Sequence, residues 1–438
     1  MNYNILLKKA PKMPRLTAGT ECINLLLKNV SKDMREPLTP MLFPLLGAHF
    51  SHASFNYPDN TSKEMCGMMA NLVADSGCNK GQLTQIVNAV CRKFVAHDET
   101  EIEKLAKWQK AVKSRGATQD RPPRPDVALR FPPADITNAA FIQNAIGCEM
   151  AGGYTQFLNL PEIEMADRIC GGHRAFSHTL RNIYDRQRAG ALRATADGVT
   201  GNPTLRVNLT ISSTPVSTRT FYKNDLLNGT FGRMVFSYKP RTARDGRIPR
   251  QGIYDEAYLA ELDTYLQRIA ACNGTHTIKS LNTLIDKLAK DMAAVADLAD
   301  DDILWDLSKR SLVSAWKAGC ILWVLNEQEW TRGIADLVEW LAYHDLWSKM
   351  QIFSDMLEKS VDSISDSAKS GPKNMLDQMP DQFTEMQLQA LRQSMGKNAE
   401  GTKHQIHVWT NRRFITYDPI TDLYTKSDTY LKKSQKNK

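Results

Sequence analysis

Lys80 stands in a stretch whose residue types are typical of a phosphate-binding loop. Residues 68–73 form a short apolar run that predicts a buried strand, and small, turn-forming residues follow it. An amphipathic helix comes next, with apolar side chains at helical spacing from Leu83 to Phe94. Backbone N–H groups at a helix N-terminus bind anions, and a lysine beside them reaches terminal phosphates. The predicted ligand-binding residues are Asp75, Ser76, Gly77, Cys78, Asn79, Lys80, Gly81 and Gln82.

The loop departs from the pattern GxxxxGK[ST] at three positions. Ala74 replaces the first glycine and Asn79 replaces the glycine before the lysine. Asparagine tolerates a left-handed backbone, so Asn79 is compatible with the turn. Gly81 stands where a Ser or Thr hydroxyl would bind magnesium, and it has no side chain to do so. The alternative interpretation is an ordinary strand, turn and helix with a surface lysine.

Two carboxylates follow another predicted strand, residues 154–160. In ATP-hydrolysing P-loop proteins such a strand ends in Asp-Glu, where the Asp holds magnesium and the Glu polarises the attacking water. Here Pro161 takes the place of the Asp and Glu162 that of the Glu, and Glu164 is a candidate metal ligand. Alternatively, both acids simply begin the next helix, because acidic side chains are favoured in a first turn.

Ser213 and Arg233 complete the candidate catalytic set with Glu162. Ser213 follows the β-rich run 205–212, at the position where P-loop ATPases with an additional strand sense the terminal phosphate. Arg233 lies in a glycine-flanked turn before a fifth strand, residues 234–238, from which an arginine can reach a phosphate. For Arg233 the alternative is an ordinary surface arginine.

The elements that must position these residues predict an α/β fold with a mostly parallel sheet. Five predicted strands, at 68–73, 127–131, 154–160, 205–212 and 234–238, alternate with helices, which include 83–94, 98–114 and 138–147. Ligands bind at the carboxyl ends of strands in such sheets, and Lys80, Glu162, Ser213 and the Arg233 turn are all expected near strand ends. The predicted organisation is a leading segment (1–65), a P-loop NTPase-like core (66–240), a helical domain (241–359), a linker (360–382) and a winged-helix-like module (383–438).

The last segment predicts two helices followed by a β-hairpin. In a winged-helix module the second helix enters a DNA groove and the hairpin touches the backbone. The candidate phosphate contacts are Lys403, Arg412, Arg413 and Lys426. A wing that docks onto another protein is the alternative.

Composition limits the classes of function. The 438 residues are 42% apolar, without an uninterrupted apolar run of membrane-spanning length, and the N-terminus lacks the pattern of a secretory signal. The eight cysteines form no CxxC pair, which favours reduced thiols in a cytoplasmic protein over a zinc or redox site. A net charge of +8 is compatible with nucleic-acid binding.

Two short motifs carry a family resemblance over roughly residues 40–240. These are N-x-x-x-x-S-T-P, with Asn208, Ser213, Thr214 and Pro215, and G-T-x-x-R, with Gly229, Thr230 and Arg233. They resemble the helicase-like and primase-associated, degenerate P-loop proteins of bacterial mobile elements and conjugative transposons. The resemblance implies a RecA- or AAA+-like core that uses ATP and Mg²⁺, DNA and primase or other element proteins as partners, and a homo-oligomer.

Two hypotheses therefore follow from the sequence. The first is a helicase-like, DNA-dependent ATPase in replication, excision or mobilisation of an element, with Glu162 activating water, Ser213 sensing the γ-phosphate and Arg233 as finger or sensor. The second is a non-enzymatic DNA-binding or assembly factor with a decayed ATPase core. Gly81 and Pro161 favour the second, because both replace groups that organise magnesium.

Overall fold

The computed structural model describes residues 9–116, 120–169, 173–191, 198–223, 226, 229–241, 252–362, 375–428 and 430–431. The chain forms two compact units. The sheet unit comprises Pro14–Leu281 and Trp316–Val338, and the helical unit comprises Met1–Met13, Asn282–Ala315 and Glu339–Lys438. Helices of the segment predicted as a separate helical domain are divided between both units, and most of the predicted linker lies outside the described residues.

The sheet unit is built from helices and strands, with α-helices between successive strands of the main sheet. In chain order these are α1 (Glu21–Leu27), α2 (Lys32–Leu38), α3 (Leu42–Gly47), β1 (His52–Asn56), β2 (Ser62–Glu64), β3 (Met69–Ala74), α4 (Gly81–Ser114), α5 (Asn138–Met150), β4 (Gln156–Leu160), α6 (Ala166–Ile169), α7 (His173–Tyr184), β5 (Val207–Ser213), α8 (Pro215–Tyr222), α9 (Thr230–Arg233), β6 (Val235–Lys239), α10 (Glu256–Ala271) and β7 (Asn273–His276). Three long helices follow and contribute to both units: α11 (Lys279–Ala299), α12 (Asp302–Leu325) and α13 (Arg332–Asp362).

The main sheet has four strands in the order β4-β5-β3-β6, and every neighbouring pair is parallel. All residues of β3 and β5 are buried, as expected for parallel strands covered by helices on both faces. Val73 pairs with Ser213, and Leu160 pairs with Ile211, so three strands end along one edge. The predicted α/β class with a mostly parallel sheet is confirmed.

The prediction of a strand at residues 127–131 is wrong, and the described residues form a main sheet of four strands instead of five. The segment is extended, but side chains satisfy much of its backbone. Asn144 accepts from the Leu129 N–H at 2.7 Å and donates to the Leu129 carbonyl at 2.9 Å. One backbone bond, from Phe157 N–H to the Arg130 carbonyl at 2.8 Å, ties it to β4. One backbone hydrogen bond is too few to make the segment a strand, so it lies beside β4 without joining the sheet.

The two helices predicted at 83–94 and 98–114 are one continuous helix, the 34-residue α4. Asp98, which reads as a helix start in the sequence, lies in the helix interior. Its carboxylate accepts from the N–H groups of Arg130 and Phe131, at 2.8 and 2.7 Å. The Asp98 carboxylate therefore forms tertiary hydrogen bonds instead of capping a second helix, and α4 continues through this position.

The last elements belong to the helical unit. They are α14 (Met375–Gln378), β8 (Gln382–Phe383), α15 (Glu385–Ser394), α16 (Gly401–Asn411), β9 (Ile415–Asp418) and β10 (Leu423–Lys426). The three strands form an antiparallel sheet in the order β8-β10-β9. Phe383, Leu388 and Trp409 are fully buried and form a core between this sheet and the two helices. Among the described residues, no helix is long and apolar enough to cross a membrane.

Candidate functional site

A cleft of about 850 Å³ lies at the carboxyl ends of β3, β4 and β5. Its walls come from the loop after β3, the turn after β4, the end of β5 and the first turns of α8. The lining residues are Ser76, Gly77, Lys80, Pro161, Glu162, Ile163, Glu164, Ser212, Ser213, Thr214, Val216, Ser217, Thr220 and Phe221. The parallel sheet thus brings together three sequence-distant groups of predicted site residues, as the strand ends of an α/β sheet allow.

Lys80 points inward over the sheet edge. Its Nζ donates to the carbonyl oxygens of Ala74 and Ser213, both at 3.0 Å, and so joins the ends of β3 and β5. Partial burial lowers the pKa of Lys80 below its usual value, and nearby anionic groups, including Glu162 and Glu164, oppose that shift. The Lys80 ammonium is thus part of the cleft wall, and its two neutral carbonyl acceptors are ones that an anionic ligand could replace.

The loop before α4 adopts the left-handed backbone that its sequence predicts. Gly77 has φ +80° and Asn79 has φ +58°, so Asn79 fills the conformational role of the missing glycine. The Nδ2 group of Asn79 is buried and has no hydrogen-bond partner among the described residues. A Cβ added at Gly81 would meet no atom within 4 Å, so the position has room for a hydroxyl-bearing side chain.

Of the eight predicted loop residues, Ser76, Gly77 and Lys80 line the cleft. Gln82 does not, because its side chain is buried and its Oε1 accepts from the N–H and hydroxyl of Ser31, both at 3.2 Å. Asp75, Cys78, Asn79 and Gly81 are also outside the lining.

Glu162 and Glu164 line the cleft opposite the loop. Both are exposed, and Glu162 precedes a short 3-10 helix, Ile163–Met165, that turns the chain away from β4. The part of the chain that the structure describes holds no group of three or more His, Cys, Asp or Glu side chains suited to a metal. A cation here would thus rely on these two carboxylates together with ligand or water oxygens.

The Ser213 hydroxyl faces into the protein, although the residue lines the cleft. Its Oγ donates to Asn71 Oδ1 at 2.8 Å and lies 2.6 Å from Thr218 Oγ1. Ser213 is 4% exposed, so the cleft receives its carbonyl oxygen instead. Sequence reasoning missed Asn71 and Thr218. An asparagine within an otherwise apolar strand was the signal that could have identified this buried network.

Arg233 lies outside the residues that line the cleft. Its guanidinium donates to Asp185 Oδ2 and to the Gly229 carbonyl, both at 2.8 Å, and lies 5.5 Å from the Tyr184 ring centre. Thr230 Oγ1 is 2.8 Å from Ser177 Oγ, so the G-T-x-x-R residues join α9 to α7 and its C-terminal end.

The N-x-x-x-x-S-T-P motif has a structural explanation at each position. Asn208 is fully buried: its Oδ1 accepts from Met68 N–H, and its Nδ2 donates to the Pro44 and Met65 carbonyls. Thr214 is the N-cap of α8 in a capping box with Ser217, and Pro215 takes the first helical position. The motif therefore fixes β5 and starts the helix that forms one wall of the cleft.

The four predicted DNA contacts divide into two pairs. Arg412 Nε donates to Asp297 Oδ2 at 2.8 Å, and Lys426 is buried with its Nζ 2.6 Å from the Met379 carbonyl. Lys403 and Arg413 are exposed, and Arg413 has a left-handed backbone with φ +57°. Only the second pair presents its charge to solvent without an internal salt bridge among the described residues.

In comparisons with known proteins, no family model matches this chain. No curated protein matches it either.

Proposed function

We propose that the sheet unit binds the phosphates of a nucleoside triphosphate in the cleft, and that the protein uses this binding in a DNA transaction. The observation that carries the proposal is the Lys80 ammonium, held between the ends of β3 and β5 at 3.0 Å from each carbonyl. Phosphate oxygens are stronger acceptors for an ammonium than neutral carbonyls, because the bond joins two charged groups.

The strand order supports the same proposal. β5, which ends in Ser213, lies between β3, which leads to the lysine loop, and β4, which leads to the acids. This is the arrangement expected of a P-loop ATPase with an additional strand. The N-terminus of the 34-residue α4 follows the loop directly and adds a favourable dipole for an anion.

The residues present fit a nucleotide phosphate better than they fit a complete magnesium site. The Lys80 ammonium is suited to phosphate oxygens, whereas the buried Nδ2 of Asn79 lies outside the cleft lining. Mg²⁺, when bound, would neutralise phosphate charge, and Glu162 and Glu164 are the carboxylates available to hold it. Glu162 is the candidate base for a water molecule, since it is exposed in the cleft directly after β4.

The DNA component is supported by the end of the helical unit. Strand, two helices and hairpin follow in the order of a winged-helix module, with the first strand pairing beside the second strand of the hairpin. α16 would be the helix that enters a groove, because Lys403, His404, His407 and Asn411 lie on its exposed side. With the motif resemblance, these features favour a role in replication, excision or mobilisation of a mobile element.

The second candidate function is a non-enzymatic DNA-binding or assembly factor that retains the ATPase fold. Three observations favour it. Gly81 offers no hydroxyl, the Ser213 hydroxyl is bonded inside the protein, and Arg233 is paired with Asp185. Nucleotide binding without turnover would support this candidate.

The experiment is ATP binding by calorimetry, followed by ATP turnover with Mg²⁺, with and without single-stranded DNA. Lys80→Ala is expected to abolish binding. Lys28→Ala is the matched control, because Lys28 is an exposed lysine of the same unit, outside the cleft. Equal ATP affinity for wild type and Lys80→Ala would overturn the nucleotide proposal.

A further inference from the structure

The second half of α4 extends as a basic arm. The basic arm comprises residues 102–116 together with the returning segment 120–126. The arm contains seven Lys and Arg residues and three carboxylates. Lys104, Lys107, Lys110 and Lys113 recur every three residues along the helix, and all four are exposed. Arg115, Arg121 and Arg124 add three more positive charges to the arm.

The arm is held in a defined shape. Trp108 Nε1 donates to the Pro122 carbonyl at 2.9 Å, and the guanidiniums of Arg121 and Arg124 lie 5.5 and 5.8 Å from the Trp108 ring centre. Nearer its base, Glu101 accepts from the Ala128 N–H at 3.2 Å. The returning segment therefore runs antiparallel to α4, and its prolines restrict it further. Ordering these charges on binding costs little additional entropy.

The end of the arm holds the charges with the least internal compensation. Lys104 pairs with Glu101 at 2.5 Å and Lys107 with Glu103 at 3.5 Å. Lys110 and Lys113 have no carboxylate partner among the described residues. With Ala106, Gln109 and Ser114 they form one open face of the helix. Two uncompensated cations on an open face form a surface suited to an extended anion.

We propose that the basic arm is a nucleic-acid binding site that contacts the phosphodiester backbone without reading sequence. Regularly spaced exposed lysines and arginines bind phosphates by displacing condensed counterions. A membrane surface is the less suitable partner. Insertion requires a continuous exposed apolar stripe. In the arm Ile102 is exposed, but Leu105, Trp108 and Val112 are all half-buried, so no such stripe forms among the described residues. The arm shares no residue with the cleft lining or with the predicted DNA contacts of α16, and its binding would remain if the cleft bound no nucleotide.

The test is the salt dependence of binding to a labelled DNA duplex and to a single strand, measured by fluorescence anisotropy without nucleotide. For Lys110→Gln/Lys113→Gln, the slope of log affinity against log salt is expected to fall by about 1.8 for the duplex, at 0.9 per phosphate. The affinity near 0.1 M salt should fall on the order of tenfold or more.

A matched control is Lys287→Gln/Lys290→Gln, which removes two exposed lysines at the same spacing from α11. The control should leave both quantities unchanged. Unchanged slope and affinity in the arm variant would overturn the proposal. So would a loss of binding to vesicles of anionic phospholipid with DNA affinity retained, since the partner would then be a membrane. Failure of ATP binding leaves this result unaffected, so the two proposals are tested separately.

Discussion

The Nζ atom of Lys80 lies 3.0 Å from the backbone carbonyl of Ser213, a residue 133 positions further along the chain. The contact brings the loop after β3 to the end of β5, and it exists because the two strands pair in parallel with Val73 opposite Ser213. The two polar groups of Ser213 consequently have different partners. The carbonyl faces the cation of the cleft, whereas the hydroxyl bonds to Asn71 inside the protein.

Gly81→Ser is expected to increase the dependence of ATP affinity and turnover on Mg²⁺. The added hydroxyl would stand at the helix start, where P-loop proteins provide a magnesium ligand, and the position has space for it. Gly81→Ala is the control, because it gives a similar gain in helix propensity, about 0.5–1 kcal/mol, without the oxygen. Titrations of Mg²⁺ at fixed ATP would distinguish them. Identical magnesium curves for the two variants would show that Gly81 does not occupy a metal-facing position.

Ser213→Ala is expected to reduce stability more than nucleotide affinity. The substitution leaves Asn71 Oδ1 without its donor in a buried site, which costs about 1–3 kcal/mol. Urea unfolding monitored by tryptophan fluorescence measures the loss, and ATP and ADP affinities measured in parallel test the sensor role. If the variant is as stable as wild type but no longer distinguishes ATP from ADP, the hydroxyl acts on the γ-phosphate.

Acidification is expected to destabilise the sheet unit through His49. Burial, with smaller contributions from Arg130 and Lys93, lowers the pKa of His49 from 6.5 to about 3, and its ring stacks on Phe94 at 4.3 Å. In the unfolded chain His49 becomes protonated near pH 6.5, whereas in the folded protein it stays neutral at that pH. The stabilising contribution is therefore complete above pH 6.5 and is lost as the pH falls from 6.5 towards 3.

His49→Phe should weaken that pH dependence. His52→Gln should not, because His52 is exposed. Free energies of unfolding at pH 7.5 and pH 5 measure the difference. A pH slope in His49→Phe equal to that of wild type would exclude His49 as the source.

The two pairs of predicted DNA contacts are expected to respond differently to removal of their charge. Lys403→Ala and Arg413→Ala should weaken DNA binding and leave thermal stability nearly unchanged, because both side chains are exposed. Lys426→Ala should lower stability, because a buried ammonium that donates to Met379 is lost from the core of the module. Thermal unfolding and anisotropy on the same samples separate these effects. If the Lys426→Ala protein is as stable as wild type but binds DNA more weakly, Lys426 contacts a phosphate as the sequence predicts.

The meeting of Lys80, Glu162 and Ser213 could be predicted because it depends on sheet topology. Residues that directly follow parallel strands lie at the carboxyl edge of the sheet, whichever way their side chains point. The direction of the Ser213 hydroxyl could not be predicted so easily, since a one-residue change in a strand end reverses the face that a side chain takes.

Long-range pairing accounts for the other differences. Asp98 lies in the interior of α4, where its carboxylate accepts from the N–H groups of Arg130 and Phe131. Arg233 lies outside the cleft lining because it forms an ion pair with Asp185. Both partners are far away in sequence and carry no local signal. Local charge pattern therefore divided α4 into two helices, and the glycine-flanked turn before a strand placed Arg233 near the phosphates.

Because α4 is one continuous helix, it fixes the direction in which the basic arm points around the helix axis relative to the loop before α4. The helix begins directly after Lys80 and continues for 34 residues to Ser114, about 50 Å at 1.5 Å per residue. Inserting one residue in its middle would turn Lys110 and Lys113 by about 100° around the axis relative to the cleft, while seven residues would nearly restore their direction. Changes of length within this helix are thus constrained to nearly whole numbers of turns if both ends are to keep their present orientation.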